Sequence, residues 1–298
     1  MIKISTKIGL FFLALFLMAP AFAQDNRRLE TKVADVLAQF PAQSVEHTAK
    51  LMAEILETGA PGIAQFCDRV VAPGTGNDSQ ARMALESLAQ YAGAPNRESN
   101  RKVVESALLA AIEKATDKEV KAFFIRRLQY CGGTESVTKL EKYLNSSELY
   151  GPALAALTSI GKTESGAVVL KNLQGKSGLQ QVAMVKTLGQ LKYQPAENSL
   201  IELAQTAKGE LLQHTYAALA AIGGKASVAT FETAAKAVGF QPNPTSVMDS
   251  YMQLAKRLAA KGSKGTDSCD LGGSEAGATG DSGAAGVDCS EVVSAAEA

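Results

Sequence analysis

The stretch ALAALTSIG, residues 153–161, carries apolar side chains at Leu154, Leu157 and Ile160 and ends in glycine. Apolar residues spaced in this way line one face of an α-helix, and a glycine in the left-handed conformation readily ends a helix. Five further segments follow the same pattern, most of them also with glycine at the end. The six copies are Met52/Ile55/Thr58/Gly59, Leu85/Leu88/Tyr91 with Gly93, Ile125/Leu128/Cys131/Gly132, Leu154/Leu157/Ile160/Gly161, Val185/Leu188/Leu191/Lys192 and Tyr216/Leu219/Ile222/Gly223. Each copy therefore predicts the end of a helix.

The copies recur at a nearly constant distance, which is typical of a stacked array of repeats. The central leucines of copies three to six lie 29, 31 and 31 positions apart. In five copies a second apolar residue follows twelve positions after the centre, as Cys67, Leu140, Val169, Leu200 and Phe231. No comparable stretch shows the period of two that a strand requires. Each repeat is therefore predicted to be a helix, a tight turn and a second helix.

Two short helices cannot bury their apolar faces alone, so we expect the hairpins to stack on one another. The predicted fold is all-α, a right-handed α-solenoid of about six HEAT-like helical hairpins over residues 24–261. A lead-in helix is expected over 25–39, and an amphipathic helix over 247–258 is expected to cap the C-terminal end. Between copies two and three the spacing stretches to 40, which predicts a longer helix. Thr116 and Glu119 resemble a capping box at the start of the helix that follows this longer one.

Residues 1–23 have the pattern of a secretory signal peptide. Two lysines precede an apolar run from Ile8 to Ala19, and Ala-Phe-Ala at 21–23 supplies a cleavage site before Gln24. A membrane anchor is disfavoured because the run is shorter than the roughly 20 residues that span a bilayer. We therefore expect the mature chain to be exported, either periplasmic or secreted, with no membrane span after signal removal.

The composition changes abruptly in residues 262–298, where Gly, Ser, Ala and Asp dominate and apolar periodicity ends. Such a segment buries too little apolar surface to offset the entropy of ordering it, so it is predicted to be disordered. Two interpretations stay open for this tail. It is either a genuine linker or the product of a truncation or a reading-frame change.

Charge argues against a nucleic-acid partner. The whole chain has a net charge of zero, and the part between signal and tail holds 27 basic and 23 acidic residues, a balance of +4. Nucleic-acid-binding domains usually carry a strongly basic stripe. The basic clusters here are Arg97/Arg101/Lys102 and Arg126/Arg127, which we interpret as solvated helix faces, with a weak anion-contacting patch as the alternative. The absence of Trp also makes direct glycan binding a weak hypothesis.

Four cysteines would meet an oxidising compartment if the chain is exported. Cys67 and Cys131 fall at apolar positions of the helical pattern, where we expect free buried thiols, a disulfide between them being the alternative. Cys269 and Cys289, in the tail, can pair with each other or with another chain. None of the four has metal-ligand spacing, so no metal or other cofactor is predicted.

Two motifs imitate functional signatures without the surrounding pattern. Gly161-Lys162-Thr163 ends like a phosphate-binding loop, but Ala156 stands where that loop needs another glycine. Gly280-Asp281-Ser282-Gly283 resembles a serine-protease nucleophile segment, yet it lies in low-complexity sequence. The two histidines, His47 and His214, are far apart and are expected to be surface or capping residues. We therefore predict no catalytic, cofactor-binding or metal-ligating residue.

The repeat phrase resembles the bilin-lyase class of HEAT-like repeats. Segments beyond the repeat, at 29–35 (LETKVAD), 41–43 (PAQ), 116–124 (TDKEVKAFF) and 237–240 (AVGF), are similar to one secreted Bacteroidetes family. In that family a helical-repeat region precedes a C-terminal jelly-roll domain related to 3-keto-disaccharide hydrolases. The resemblance spans roughly 25–261, and it implies that any sugar chemistry belongs to the C-terminal domain. No functional residue is therefore carried over.

Two functions follow as expectations. The favoured one is an exported, non-catalytic scaffold that binds another protein or an attached domain through the groove of its inner helices, because solenoids offer extended concave surfaces. The alternative is the repeat module of a truncated glycan-processing enzyme. A lyase or chromophore carrier is disfavoured because the resemblance concerns the repeat and no cofactor site. The binding residues and the partner are not predicted.

Overall fold

The computed structural model describes residues 27–267, with side chains described over 27–261, and this part contains fourteen α-helices and no strand. The all-α prediction is therefore confirmed. The helices are α1 Leu29–Leu37, α2 Val45–Glu57, α3 Gly59–Asp68, α4 Ser79–Gly93, α5 Glu98–Lys114, α6 Lys118–Cys131, α7 Thr134–Leu140, α8 Tyr150–Ile160, α9 Thr163–Leu173, α10 Gly178–Gln190, α11 Glu197–Thr206, α12 Gly209–Ile222, α13 Lys225–Ala237 and α14 Val247–Asp267. Short 3-10 turns, Glu141–Asn145 and Gln194–Ala196, extend α7 and precede α11.

The helices pack in chain order in two layers. Even-numbered helices α2 to α14 contact one another successively in one layer, and the odd-numbered helices form the other. All substantial helix contacts within the described residues join helices at most three apart in the chain. This is the packing expected of an α-solenoid. Six hairpins result, which we number 1 to 6, from α2–α3 to α12–α13, with α1 before them and α14 after them.

The six sequence phrases end the six first helices of the hairpins, as predicted. Their central residues are buried, from Ile55 in α2 to Leu219 in α12. The five residues twelve positions later are also buried and lie on the second helices, α3, α7, α9, α11 and α13. One continuous apolar core therefore runs between the two layers.

The role of the terminal glycine was predicted correctly in only part of the copies. Gly59 and Gly161 have positive φ, and in the fifth copy Lys192 adopts this conformation without being glycine. Gly93 and Gly132 have other backbone conformations, and glycine is needed there for space. A Cβ at Gly93 would overlap the carbonyl oxygen of Tyr130, because α4 and α6 approach closely.

Three boundaries differ from the prediction. The cap of α6 is Asp117, whose carboxylate accepts a hydrogen bond from Val120 N at 2.9 Å, so the predicted capping box of Thr116 and Glu119 is wrong. The lead-in helix is shorter than 25–39. The final helix α14 continues through Gly262 to Asp267, six residues past the expected end of the ordered body. The predicted signal peptide, the rest of the tail with its two cysteines, and the Gly280–Gly283 motif lie outside the described residues.

Two carboxylates, the buried Glu105 and the half-buried Glu197, join successive odd-layer helices. Glu105 of α5 accepts hydrogen bonds from Gly133 N at 2.7 Å, Ser136 N at 3.0 Å and Ser136 Oγ at 2.6 Å. Glu197 of α11 does the same with Gly224 N, Ser227 N and Ser227 Oγ at 2.6, 3.2 and 2.7 Å. Each carboxylate satisfies N–H groups at the N-terminus of the next odd helix, where its charge also meets the positive end of the helix dipole. We call these two groups the carboxylate caps.

Exposed polar pairs also connect neighbouring hairpins. Lys142 Nζ lies 2.6 Å from Glu113 Oε1, and Lys171 Nζ lies 2.8 Å from Glu141 Oε1. The partners are about one repeat apart in the chain, so the sequence period of the core reappears in the surface ion pairs. Lys118 and Glu148 form a further pair of this kind.

Candidate functional site

One open cleft of about 380 Å³ lies where hairpins 1, 2 and 3 meet. It is bounded by the C-terminal ends of α3 and α5, the N-terminal end of α6 and the connection between α3 and α4. This volume is in the range of small-molecule pockets or of one or two inserted side chains. The cleft coincides with the stretched repeat, because α5 has seventeen residues and α3 only ten.

The floor of the cleft is apolar. It is formed by Cys67 of α3, Val70 just after it, Ala111 of α5, and Val120 and Phe124 of α6, all of which are buried. Each belongs to the continuous core, so the floor is fixed by packing on its far side. The cleft therefore has a small apolar floor, little of which is exposed, at the edge of the stack.

One wall is the connection after α3, which an ion pair holds in place. Asp78 Oδ2 accepts hydrogen bonds from Val71 N at 2.9 Å and from Arg82 Nε at 2.8 Å. Arg82 Nη2 also donates to Val71 O at 3.1 Å, so both backbone polar groups of Val71 are bound. Burial alone would raise the pKa of Asp78, but the hydrogen bonds from Arg82 and Val71 outweigh it and lower that pKa. The wall is thus anchored at both ends of the connection.

The rim is charged and exposed. Lys114 Nζ, at the end of α5, lies 2.6 Å from Asp68 Oδ1, at the end of α3. The two side chains are 70% and 48% exposed, and ion pairs this exposed contribute at most about 1 kcal/mol. A ligand can therefore displace the pair at little cost. Asp117 stands beside it, but its carboxylate caps α6.

The lining of the cleft determines which groups it can hold. Burial raises the pKa of the Cys67 thiol to about 12, with the neighbouring Asp68 as a smaller cause, so the reactive thiolate is scarce at neutral pH. Within residues 27–267 no group of three or more His, Cys, Asp or Glu side chains could hold a metal ion. The arrangement can accept an apolar group on its floor and polar groups at its rim.

Cys67 and Cys131 are free and buried, as predicted. Burial likewise raises the pKa of Cys131 to about 12, with Glu105 as a smaller cause. Neither thiol lies at an exposed, electropositive position of the kind that activates cysteine. Both act as small apolar residues of the core.

The interpretation of the arginine clusters as solvated faces is wrong for three of their members. Arg97 Nη1 donates to Tyr91 O at 2.9 Å, with its guanidinium 3.4 Å from the ring centre of Tyr91. Arg101 Nη2 donates to Gly93 O at 2.8 Å. Both side chains satisfy carbonyls at the C-terminal end of α4, where a positive charge is favoured by the helix dipole. Sequence alone could not show that the chain turns back over this helix end.

Arg127 is the third member. Its side chain is 12% exposed and its Nη1 lies 2.7 Å from Glu86 Oε2, although the pair lacks hydrogen-bond alignment. Together with Arg82 it contacts the ring of Phe123, with guanidinium distances of 4.9 and 4.7 Å to the ring centre. Arg126 and Lys102 remain on the surface, so the structure assembles no strongly basic patch from these residues.

The remaining candidates of the sequence have structural roles. His47 Nδ1 accepts from Gln43 N at 3.2 Å beside the start of α2, and His214 lies 3.6 Å from Glu210 on α12. Lys162 belongs to the turn between α8 and α9, and its Nζ donates to Thr134 Oγ1 at 3.0 Å. Gly161-Lys162-Thr163 therefore lies between two helices and does not follow a strand, as predicted.

Comparisons with known proteins identify no family. No protein-family model matches the chain, and no curated protein matches it significantly. The similarity to a secreted Bacteroidetes family therefore stays a prediction. Among the described residues, no helix combines the length and the hydrophobicity needed to cross a membrane.

Proposed function

We propose that this protein is an exported, non-catalytic helical-repeat scaffold that binds another protein or an attached domain. The observation that carries the proposal is the open cleft at hairpins 1 to 3, with an apolar floor, an anchored wall and a displaceable ion pair at its rim. A scaffold needs a rigid surface that changes little on binding, and buried neighbours hold the floor in this way.

The cleft suits a side chain of a protein partner. An apolar anchor residue would cover Val120 and Phe124, while the polar backbone next to it would lie against Lys114 and Asp68. Anchor residues inserted into such pockets usually dominate the affinity of a protein interface, and exposed rim charges contribute less. We therefore place the main binding energy on the floor.

The alternative proposal is that the chain is the repeat module of a glycan-processing enzyme. It rests on the segments at 29–35 and 116–124 that resemble the secreted family. A reading frame for a jelly-roll domain in the DNA downstream of the tail codons would support it, and its absence would favour the scaffold. Turnover of a 3-keto-disaccharide by the purified chain would contradict the non-catalytic assignment.

The scaffold is tested by affinity capture from a cell-envelope extract, with the chain from Gln24 onward as bait. The cleft variant is Ala115→Trp, which places a large ring over the floor from a half-buried lining position. Its matched control is Ala155→Trp, on the exposed surface of α8. We expect the same partner to be captured by the parent and by Ala155→Trp, and to be lost with Ala115→Trp.

Circular dichroism must show equal helix content in all three proteins for the comparison to count. Capture that survives Ala115→Trp would contradict the role of the cleft.

Export is tested separately, by N-terminal sequencing of the protein from the source cells. A mature chain beginning at Gln24 would support it, and a chain that retains residues 1–23 in the cytoplasm would contradict it.

A further inference from the structure

Polar side-chain bonds join each hairpin directly to the next one at every step except one. Hairpins 1 and 2 are joined by Lys114 and Asp68, and hairpins 2 and 3 by the Glu105 cap. Several bonds join hairpins 3 and 4, the Glu197 cap joins hairpins 5 and 6, and Arg257 joins α14 to the end of α12. Across the described side chains, no hydrogen bond or ion pair joins hairpin 4 directly to hairpin 5, and one hydrogen bond, from Gln180 Nε2 of α10 to Leu144 O in the turn after α7, passes from hairpin 5 to hairpin 3.

Packing is weak at the same junction. In the odd-numbered layer α9 and α11 barely touch, whereas α7 contacts α9 and α11 contacts α13. In the even-numbered layer the contact of α8 with α10 is less extensive than those of α6 with α8 and of α10 with α12, and the contact of α2 with α4 is smaller still. Only α10, which contacts its predecessor α9 as well, holds the two hairpins together closely.

The residues at the capping positions explain why no carboxylate cap forms there. Glu197 stands three positions before the buried Leu200 of α11, and its partner Ser227 stands four before the buried Phe231 of α13. Counting in the same way from Val169 and Leu200 gives Gly166 in α9 and Ala196 before α11. Neither residue has a polar side chain. The ring of Tyr193 lies where a Cβ at Gly166 would be, so it fills the place of the carboxylate with an apolar contact.

We propose that the array uncouples at the junction of hairpins 4 and 5 into two blocks that open independently. The N-terminal block comprises α1 to α9 and the C-terminal block comprises α10 to α14. In a linear array each repeat is stabilised only by its neighbours, so the weakest interface determines where cooperativity ends. Because hairpins 4 and 5 share an apolar interface and the Gln180 bond is the polar link between the described side chains of the two blocks, small changes of angle between the blocks are permitted, which adjusts the surface that a long partner would contact.

The test is native-state hydrogen exchange on the full chain, measured by mass spectrometry for peptides from each block. Leu219→Ala weakens the C-terminal block, and Leu88→Ala weakens the N-terminal block; both leucines are fully buried. Truncations of this kind accelerate exchange of the most protected amides by roughly 30-fold or more when they are coupled to the mutated site. We expect Leu219→Ala to accelerate exchange in α10 to α13 and to leave α4 to α8 within about twofold of the parent. Leu88→Ala should give the reverse.

The Glu197 cap supplies an internal control, because hairpins 5 and 6 lie on the same side of the junction. Acceleration should therefore spread from α12 to α10 in Leu219→Ala. If that variant fails to fold, Ser227→Ala replaces it as a milder change in the same block. Equal acceleration on both sides of the junction in either variant would overturn the proposal.

Discussion

The junction of α5 with α7 and the junction of α7 with α9 occupy corresponding places in successive repeats but use different chemistry. At the first, buried Glu105 caps α7 through Gly133 and Ser136. At the second, the equivalent positions are the buried Val137 and Ser165, and Ser165 Oγ has no hydrogen-bond partner. Exposed groups, among them Lys171 with Glu141, connect the hairpins there. Successive repeats can thus be joined by an interior carboxylate or by surface ion pairs.

The largest effect should come from placing a carboxylate at a buried position that lacks donors. Val169→Glu in the middle of α9 buries a charge without partners and should cost more than about 4 kcal/mol, which abolishes the fold or leaves it marginal. Val137→Glu places the same group in the register of Glu105, next to the unpartnered hydroxyl of Ser165. It should cost at least about 2 kcal/mol less, because N–H and O–H donors are available. Urea unfolding followed by circular dichroism measures the stability of both variants. Equal losses of stability would contradict the correspondence of Val137 with Glu105 in the repeat.

Removing the existing cap should give the next largest effect. Glu105→Ala leaves three donors of Gly133 and Ser136 buried without an acceptor, and we expect it to destabilise the protein by about 2–4 kcal/mol in urea unfolding. The matched control is Glu135→Ala on the exposed first turn of α7, expected to change stability by less than about 0.5 kcal/mol. A Glu105→Ala variant as stable as that control would show that water replaces the cap.

The two buried serines provide a finer comparison. Ser136→Ala removes a hydroxyl bonded to Glu105 at 2.6 Å and should cost about 1–2 kcal/mol. Ser165→Ala removes a hydroxyl without a partner and should be neutral or stabilising by up to about 1 kcal/mol. Thermal unfolding of the two variants side by side resolves this difference. The comparison fails if both substitutions destabilise equally.

The fold was predictable because its signal is repeated. Six phrases in register specify six helix ends, and one ambiguous copy, such as the one ending in Lys192, does not disturb the pattern. The carboxylate caps were missed because a glutamate beside the buried Val104 could equally lie at the helix surface. A signal for them exists, since Gly-x-x-Ser at 133–136 and at 224–227 follows each capping glutamate by a nearly constant interval. The cleft was harder to predict from the sequence. The unequal lengths of α3 and α5 create it, and apolar periodicity does not report helix length.

The smallest effects concern the exposed pairs between hairpins 3 and 4. Hydrogen bonds from Lys171 and Asn172 lower the pKa of Glu141, and those from Lys118 and Ser147 lower the pKa of Glu148 to about 2. A carboxyl group with a lowered pKa in the folded state stabilises the fold above its unfolded value, near 4.3, and loses this contribution as the pH falls through the folded value. The urea midpoint should therefore decline between about pH 5 and pH 2, and less steeply in Glu148→Gln.

The effect of salt on stability should distinguish these exposed pairs from the buried Glu105 cap. Exposed ion pairs are screened within a Debye length of about 8 Å at 0.15 M salt, whereas a buried carboxylate bonded to backbone N–H groups is screened much less. The loss caused by Glu141→Gln, under about 1 kcal/mol at low salt, should largely vanish in 1 M NaCl, while the loss caused by Glu105→Ala should persist. Urea unfolding at the two salt concentrations measures both losses. If the Glu105→Ala loss also vanished, the two junctions would not differ in kind, because the interior carboxylate would then be as accessible to ions as the surface pairs are.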